Sequence, residues 1–323
     1  MKKPLIILTG PTAVGKTRLS IRLAKAVNGE IISADSMQVY RHMDIGSAKI
    51  RPEEMDGVPH HLVDCLEPDE EFNVVRFQQM AKAAMEEIYE RNKVPVLVGG
   101  TGFYIQAVTG DIDFTEHGGD DSYRKALEKK AGEEGAEVLH QMLAQVDPES
   151  AQAIHANNVK RVIRALEYYH QTGSPISLHN QQQRQKESPY NLAYFVLNDE
   201  RSRLYKRIDA RIDEMVSEGL IDEVRKLKEM GYHKGMVSMQ GLGYKEILSY
   251  LDGTWSLDEA VYILKRDTRH FAKRQITWFK RERNVEWFYK PDYDYDENKL
   301  LDGMLDSLTE KGIIQLSSIR NIL

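Results

Sequence analysis

Residues 10–17 are the part of the sequence whose types and spacing point most directly to chemistry. They read Gly-Pro-Thr-Ala-Val-Gly-Lys-Thr and match the phosphate-binding P-loop pattern G-x-x-x-x-G-K-[ST]. Glycines let such a loop curl until backbone N–H groups point inward, and the helix that follows adds positive charge. We predict that phosphate is bound by Gly10, Pro11, Thr12, Ala13, Val14, Gly15, Lys16 and Thr17. Lys16 would reach the terminal phosphates and Thr17 would offer a hydroxyl to Mg²⁺; an ordinary glycine-rich turn is the alternative.

The second buried strand of this region lacks the acid that an ordinary P-loop NTPase uses to hold Mg²⁺. The candidate strand, Val94–Val98, is followed by Gly-Gly-Thr-Gly, so nucleotide hydrolysis is not the natural inference. The acid nearest a strand end is Asp35, which could be a general base facing the P-loop or could stabilise a turn. Thr101 lies between two glycines and could approach a ligand or sit in a tight strand-to-helix turn.

Two groups of basic residues could bind phosphates. Arg203, Arg207 and Arg211 recur every four residues on one predicted helix face, where they could bind phosphate or form a solvated face. In the second reading they would pair with Asp209, Asp213 and Glu214. The second group comprises eight Lys or Arg against two acids between Lys265 and Arg283. This broad basic side suits an RNA backbone, and a solvated charged helix is the alternative.

The elements that must position these residues alternate between strand and helix in the first third of the chain. The predicted order is strand Leu5–Thr9, helix Lys16–Val27, strand Ile31–Ser33, weak strand His61–Cys65, helix Asn73–Arg91 and strand Val94–Val98. Such alternation predicts the α/β class, with a P-loop NTPase-like parallel sheet flanked by helices. Its ligands would lie at the carboxyl edge of the sheet.

A helical insertion is predicted within this sheet domain, covering residues 116–189. After the polar stretch 116–121 come predicted helices at 121–131, 135–144, 149–156 and 159–171, and then a Gln-rich loop at 180–185. The core domain would comprise residues 1–115 and 190–323. Its second part would contain strand Leu192–Leu197, helices Ser202–Met230, Gly243–Leu251 and Leu257–Arg281, and a last strand Val285–Phe288.

The composition, the distribution of charge and the N-terminal sequence indicate where the protein acts and which kinds of site it contains. The chain has 323 residues, 41% hydrophobic and 29% charged, with one cysteine and a formal net charge of −6. Seven acids between Pro291 and Glu310 contribute to that negative total and mask the basic helix. The N-terminal apolar run is too short for a signal peptide or a membrane span, so we expect a cytoplasmic protein. His60 and His61 would point to opposite faces of a strand, which favours structural roles over a zinc site.

Seven segments, taken together and in order, resemble the tRNA dimethylallyltransferases (tRNA isopentenyltransferases). Besides residues 10–17 they are Ser-Ala-Asp-Ser-Met-Gln-Val-Tyr at 33–40, Pro-His-His-Leu-Val-Asp at 59–64, Val-Gly-Gly-Thr-Gly-Phe-Tyr at 98–104, Asn-Asn-Val-Lys-Arg-Val-Ile-Arg-Ala-Leu-Glu at 157–167, Met-Gln-Gly-Leu-Gly-Tyr-Lys-Glu at 239–246 and Ala-Lys-Arg-Gln-Ile-Thr-Trp-Phe at 272–279. The resemblance implies transfer of a dimethylallyl group from dimethylallyl diphosphate to N6 of the adenosine 3′ of the anticodon, position 37. The tRNAs are those that read codons starting with U, and diphosphate is released.

The resemblance also implies roles for individual residues. The P-loop would hold the prenyl diphosphate and Mg²⁺ rather than ATP, Asp35 would be the general base, Thr101 would lie by the reacting centre and Arg211 would stabilise the diphosphate. The anticodon stem-loop of tRNA would be contacted by Asp35, Ser36, Met37, Gln38, Thr101, Arg124, Lys160, Arg161, Val162, Ile163, Arg164, Gln240, Gly241, Leu242, Gly243, Tyr244 and Lys245. Some relatives carry Gln at the position of Lys160. We expect a monomer without membrane partners.

Two other functions use the same motifs. A P-loop small-molecule kinase would have the same fold and the same phosphate loop, and it would transfer phosphate from ATP instead of releasing diphosphate from a prenyl donor. In a non-catalytic RNA-binding protein switched by a nucleotide, Asp35 would have no function beside the P-loop. The bound RNA would remain chemically unchanged.

Overall fold

Six parallel strands form one sheet in the order β3-β2-β4-β1-β5-β6. The structure is a computed structural model that describes residues 2–114 and 122–315. The strands are β1 (Lys3–Thr9), β2 (Gly29–Ser33), β3 (His60–His61), β4 (Val94–Gly99), β5 (Tyr190–Asn198) and β6 (Glu286–Tyr289). From β1 the chain runs to β2, β3 and β4 on one side and later to β5 and β6 on the other. The carboxyl end of β1 is therefore a switch point, where ligands of parallel sheets bind.

Helices cover this sheet and also form a separate group. The α-helices of the described residues are α1 (Lys16–Ala26), α2 (Val74–Glu90), α3 (Gly102–Thr109), α4 (Ser122–Glu134), α5 (Ala136–Val146), α6 (Pro148–Ala153), α7 (Val159–Thr172), α8 (Ile176–Gln185), α9 (Arg201–Glu218), α10 (Leu220–Glu229), α11 (Tyr244–Leu251), α12 (Leu257–Phe279) and α13 (Glu297–Glu310). The fold class predicted from the sequence is confirmed.

The core of the sheet domain follows from the apolar runs of its strands. Leu5, Ile6, Ile7 and Leu8 of β1 are all 0% exposed, as a strand covered on both faces requires. The helix α2 begins where predicted, because the Asn73 side chain accepts the N–H groups of Val75 and Arg76 at 3.0 Å each. None of the described helices is both long enough and apolar enough to cross a membrane.

The chain divides into two compact units, Met1–Thr109 with Pro189–Leu323, and Gly110–Ser188. The predicted division between residues 189 and 190 differs from this by one residue. The predicted division between 115 and 116, and the predicted polar stretch 116–121, lie outside the described residues. The second unit contains α4–α8, and its own core is built from apolar faces such as that of α7, where Val162, Ile163 and Leu166 are buried.

Two boundaries of the sheet domain were predicted wrongly, both because of left-handed backbone. The third strand is only His60–His61 rather than 61–65, since Leu62 and Asp64 have φ of 61° and 59° and cannot continue a strand. The helix predicted over 202–230 is two helices, α9 and α10. Gly219, with φ of 107°, separates them.

Helices also lie in two segments that were predicted as a loop and as an acidic tail. The Gln-rich segment 180–185 is the end of α8 rather than a loop, because glutamine is a good helix former and Ile176 packs the helix on the core of the second unit. The acidic segment 291–310 contains α13. Its buried face consists of Leu300, Leu301, Met304, Leu305 and Leu308, while the acids lie on the opposite side.

Candidate active site

The P-loop joins β1 to α1 with the tightly curled backbone that its pattern predicts. Gly10 has φ of 143°, and a Cβ at this position would collide with the backbone oxygen of Leu197 in β5. Only glycine fits there. Ala13 and Gly15 also have positive φ, 61° and 101°. The N–H of Val14 donates to the oxygen of Pro11 at 3.4 Å, which closes the turn ahead of α1.

Lys16 lies folded into this loop. Its Nζ donates to the backbone oxygens of Gly10 at 3.0 Å and Pro11 at 2.8 Å. Burial lowers the pKa of its ammonium to about 8, against the opposing effect of Asp35, and Arg211 lowers it further. Lys16, Asp35 and Arg211 are therefore close enough to interact electrostatically. Thr17, the first-turn hydroxyl of α1, is exposed.

Gln275 of α12 connects the P-loop to the end of β4. Its Oε1 accepts the N–H of Thr12 at 2.8 Å, and its Nε2 donates to the oxygen of Gly100 at 3.0 Å. A Cβ at Gly100 would collide with that Nε2, so the glycine is needed for this contact. Gln275 was not among the predicted site residues. Its type alone gave no signal, although it lies inside the segment 272–279 that carries the resemblance.

Thr101 begins the turn from β4 into α3. Its N–H donates to the oxygen of Ala34 at 3.2 Å, and its own oxygen accepts the N–H of Tyr104 at 2.9 Å. The side chain of Thr101 is partly exposed at the carboxyl edge of the sheet. The position of Thr101 is thus compatible with both predicted roles. Its backbone forms a tight turn, and its side chain is accessible to a ligand. Its catalytic role stays a prediction.

Asp35 follows β2 and uses one carboxylate oxygen in a turn. Its Oδ1 accepts the N–H of Met37 at 2.8 Å and of Gln38 at 3.4 Å. The other oxygen, Oδ2, accepts no hydrogen bond from any described residue. The turn role is therefore present in the structure and leaves a second oxygen available to a ligand.

A second strand-end acid was missed. Asp199 follows β5 directly, so the expectation that Asp35 is the acid nearest a strand end was wrong. Asp199 is 4% exposed, and its Oδ1 accepts the N–H of Glu200 at 2.7 Å. Because β5 is the neighbour of β1, Asp199 lies at the same edge of the sheet as the P-loop.

Of the four arginines of α9, the three predicted to bind phosphate differ in environment, and Arg207 is exposed. Arg211 is largely buried, and burial lowers the pKa of its guanidinium while Asp35 acts in the opposite direction. Arg203 stacks on the ring of Tyr295, 3.8 Å from its centroid. Two of the three acids that were predicted to pair with these arginines do not pair with them. Asp209 pairs with Arg269 at 2.6 Å and Asp213 pairs with Lys265 at 2.5 Å, both on α12.

Two predicted tRNA-contacting segments, residues 35–38 and 240–245, lie against each other. A Cβ at Gly241 would collide with the side chain of Met37. Tyr244 is fully buried and its hydroxyl donates to Glu223 at 2.9 Å, so it does not present its side chain to RNA. Gln240 is exposed and Lys245 is partly exposed.

Glu223 of α10, which was not predicted as a site residue, organises the loop that follows the Asp35 turn. Its carboxylate accepts the backbone N–H groups of Asp44 at 2.9 Å, Ile45 at 2.7 Å and Gly46 at 3.1 Å. A single acid on a helix gives no sequence signal for this role, because its partners are backbone groups distant along the chain.

In the helical unit, the predicted tRNA-contacting residues divide into exposed and buried ones. Lys160 and Arg161 are exposed near the start of α7, whereas Val162 and Ile163 belong to the core of the unit and cannot offer side chains to RNA. Arg124 forms a bidentate pair with Glu167, with both distances 2.9 Å, and so ties α4 to α7. Contact with RNA would have to share or replace this pair.

The histidines and carboxylates of the described residues do not form a metal site by themselves. His60 Nδ1 contacts the oxygen of Val58 at 2.8 Å, and His61 Nε2 contacts Glu30 at 2.7 Å, so both rings have structural partners. Within residues 2–114 and 122–315, no group of three or more His, Cys, Asp or Glu could hold a metal ion. A cation here would depend on Thr17 together with oxygens that a ligand brings.

Comparison with known proteins gives a consistent family. The family model described as IPP transferase matches residues 38–282, and the model described as isopentenyl transferase matches residues 3–67. The tRNA dimethylallyltransferase of Lachnoclostridium phytofermentans is 65% identical over 97% of this chain and 100% of its own length. That of Carboxydothermus hydrogenoformans is 50% identical over the full length of both chains, 100% each.

Solved structures agree with the sequence relatives. The tRNA isopentenylpyrophosphate transferase of Bacillus halodurans is 48% identical, with a TM-score of 0.72 over 96% of this chain and 98% of that chain. A eukaryotic dimethylallyltransferase acting on tRNA is 30% identical, with a TM-score of 0.78 over 89% of this chain and 74% of that chain. With these matches across nearly its whole length, and with a P-loop in place beside Asp35, the chain belongs to the IPP transferase family of tRNA dimethylallyltransferases.

Proposed function

We propose that this enzyme transfers a dimethylallyl group from dimethylallyl diphosphate to N6 of adenosine 37 in tRNAs that read codons starting with U, releasing diphosphate. The observation that carries the proposal is a formed P-loop whose Lys16 is close to Asp35, together with an Oδ2 of Asp35 that accepts no hydrogen bond from any described residue. β4 ends in glycines without the acid of a nucleotide hydrolase, and the names of the relatives support the same reaction.

The P-loop serves the leaving group. Ionisation of the bond between the allylic carbon and the diphosphate oxygen places negative charge on the diphosphate, and positioned amides and an ammonium stabilise that charge. Lys16 now donates to two backbone oxygens, and a phosphate entering the loop would compete with them for its ammonium. Arg211, buried near Lys16 and Asp35, adds a second fixed cation.

Asp35 serves the nucleophile. The exocyclic amine of adenine is a poor nucleophile, because its lone pair is delocalised into the ring. As the N6–carbon bond forms and the carbon–oxygen bond to diphosphate breaks, the amine must lose one proton. Oδ2 can accept it, while Oδ1 keeps the carboxylate oriented through Met37 and Gln38. The adenine must leave the anticodon-loop stack to reach this edge of the sheet.

Mg²⁺ fits this site as an ion held chiefly by the substrate. Thr17 supplies one hydroxyl oxygen, and Mg²⁺ commonly takes a few protein oxygens with phosphate and water oxygens. When bound, the ion would neutralise part of the diphosphate charge.

The RNA substrate would lie across several surfaces described above. On the sheet domain, these are the adjoining segments 35–38 and 240–245 and the basic side of α12. On the helical unit, they are Lys160 and Arg161. We propose that the protein acts in the cytoplasm as a monomer; sedimentation of the purified chain tests the monomer.

One experiment tests the proposed reaction. The protein is incubated with labelled dimethylallyl diphosphate, Mg²⁺ and bulk tRNA, and the tRNA is digested to nucleosides. Label in N6-modified adenosine together with released diphosphate is the expected result. Phosphate transfer from ATP with unmodified tRNA would instead identify a kinase. RNA binding without any covalent change to the RNA would instead identify a non-catalytic RNA-binding protein.

A further inference from the structure

Two cationic side chains beside the P-loop have no role in the reaction described so far. They are Arg207 of α9 and Lys290, which follows β6. A Cβ placed on Gly15 would lie 3.4 Å from an Arg207 guanidinium nitrogen and 3.4 Å from the Lys290 ammonium. Both groups therefore meet the loop at its second glycine, whereas Lys16 is bound to the backbone of its first two residues.

Lys290 is fixed against the loop itself. It is 7% exposed, and its Nζ donates to the backbone oxygen of Val14 at 3.3 Å. Burial lowers the pKa of its ammonium, Arg207 lowers it further, and Asp199 and Glu297 raise it. Lys290 lies beyond residue 282, where the match to the family model ends.

Arg207 has no carboxylate partner. Its side chain is exposed and forms no hydrogen bond or ion pair with any residue of 2–114 or 122–315. The neighbouring basic side chain Arg203 is stacked on Tyr295 and lies 4.0 Å from Asp199. The acid Glu297 is bound by Arg18 at 3.1 Å.

Two acids of α9, Asp209 and Asp213, pair with cations of α12 rather than with Arg207. An unpaired guanidinium at a formed phosphate loop has the forked donors that match phosphate oxygens. Diphosphate carries more negative charge than Lys16 and Arg211 together balance. Arg207 offers a second phosphoryl group a further cation at the loop.

We propose that Arg207 binds the second phosphoryl group of the diphosphate, and that Lys290 positions the loop for it by holding the carbonyl of Val14. The proposal rests on the proposed function, since it assigns further residues to the same diphosphate site. Arg207 acts on the ligand directly. Lys290 acts through the backbone, so the two side chains should affect diphosphate and monophosphate differently.

Calorimetric titration of the full-length protein with inorganic diphosphate, and separately with inorganic phosphate, tests this, in the presence of Mg²⁺. Arg207→Met should weaken diphosphate binding by about 10- to 100-fold, the effect of losing a charged hydrogen bond, and should weaken phosphate binding far less. Arg207→Lys should recover part of the loss. Arg203→Met is the matched control on the same helix, and we expect it to keep diphosphate affinity within about twofold.

Lys290→Met should weaken phosphate and diphosphate binding by similar factors, because it loosens the loop that both ligands use, while Lys290→Arg restores much of both. Thermal melts of each variant separate these effects from unfolding. If Lys290→Met lowers the melting temperature and leaves both affinities unchanged, its positioning role is overturned.

Two outcomes concern Arg207. If wild-type protein binds diphosphate and Arg207→Met binds it equally well, the proposal for Arg207 fails and the proposed function stands. If wild-type protein binds no diphosphate, the P-loop assignment in the proposed function fails as well.

Discussion

The P-loop edge of the sheet and the basic side of α12 both carry Lys and Arg side chains, but their charges are arranged differently. At the P-loop, Lys16 is held by backbone oxygens and Arg207 has no described partner. On α12, Lys265 and Arg269 are neutralised by acids of α9. The difference teaches that tertiary pairing, not the count of basic residues, decides which cations can bind a ligand.

The basic side of α12 is itself divided by this criterion. Its first half is paired, whereas Lys273 and Arg274 are exposed and form no ion pair with any described residue. These two line a shallow depression with His270, Trp278 and Arg281, which adjoins the turn at Gly102 through Trp278. We expect the second half of α12, rather than the whole helix, to bind RNA phosphates.

The largest expected effect comes from removing the proposed base at the P-loop edge. Asp35→Asn keeps an oxygen that can accept the N–H of Met37, so the turn should survive, but an amide is not a comparable base. We expect turnover to fall about 10²- to 10⁴-fold while the prenyl donor still binds. Single-turnover transfer on pre-bound tRNA separates chemistry from RNA binding. A wild-type rate would reduce Asp35 to a turn residue.

Removing the P-loop cation should have the next largest effect. Lys16→Ala loses the ammonium that we propose stabilises the leaving diphosphate, and the loss of one such donor costs about 10²- to 10³-fold in rate. We expect tRNA affinity, measured by filter binding, to stay near the wild-type value, because the basic side of α12 is intact. Near-normal turnover in a folded variant would remove the P-loop from the chemistry.

On the RNA side, the expected effect is on salt dependence. Neutralising Lys273 and Arg274 together should reduce the slope of log K against log salt by about 0.7 to 0.9 for each lost contact, with diphosphate affinity unchanged. The matched control is Lys265→Ala with Asp213→Ala, which removes a cation together with its partner. An equal change of slope in both double variants would contradict the division of α12.

The smallest expected effect is a pH dependence of diphosphate binding. The pKa of Lys16 in the free protein is lowered to about 8, so above that pH the ammonium loses its proton and diphosphate affinity should fall. We expect a loss of roughly three- to tenfold between pH 8 and 9. Lys16→Arg keeps its charge over this range, so the ratio of the two proteins removes the titration of diphosphate itself. A flat ratio would mean that Lys16 stays charged throughout.

Local sequence signals predicted the parts of the fold that depend on short stretches of chain. The P-loop, the capped start of α2 and the buried strands β1 and β4 appear at or within two residues of their predicted positions. The apolar face of α13 was also present in the sequence at helical spacing. This helix was not predicted, because the segment was interpreted from its many acidic residues alone.

By itself, the sequence determined the P-loop, the α/β class and the family, because motifs and periodicity are properties of neighbouring residues. Only the tertiary structure decided which charges are free. Gln275 reaches Thr12, and Glu223 reaches the loop after Asp35, by contacts between groups far apart along the chain. Arg207 is left without an ion pair among the described residues, since acids of its own helix pair with α12. The electrostatic availability of a side chain depends on its partners in space, and sequence spacing does not specify them.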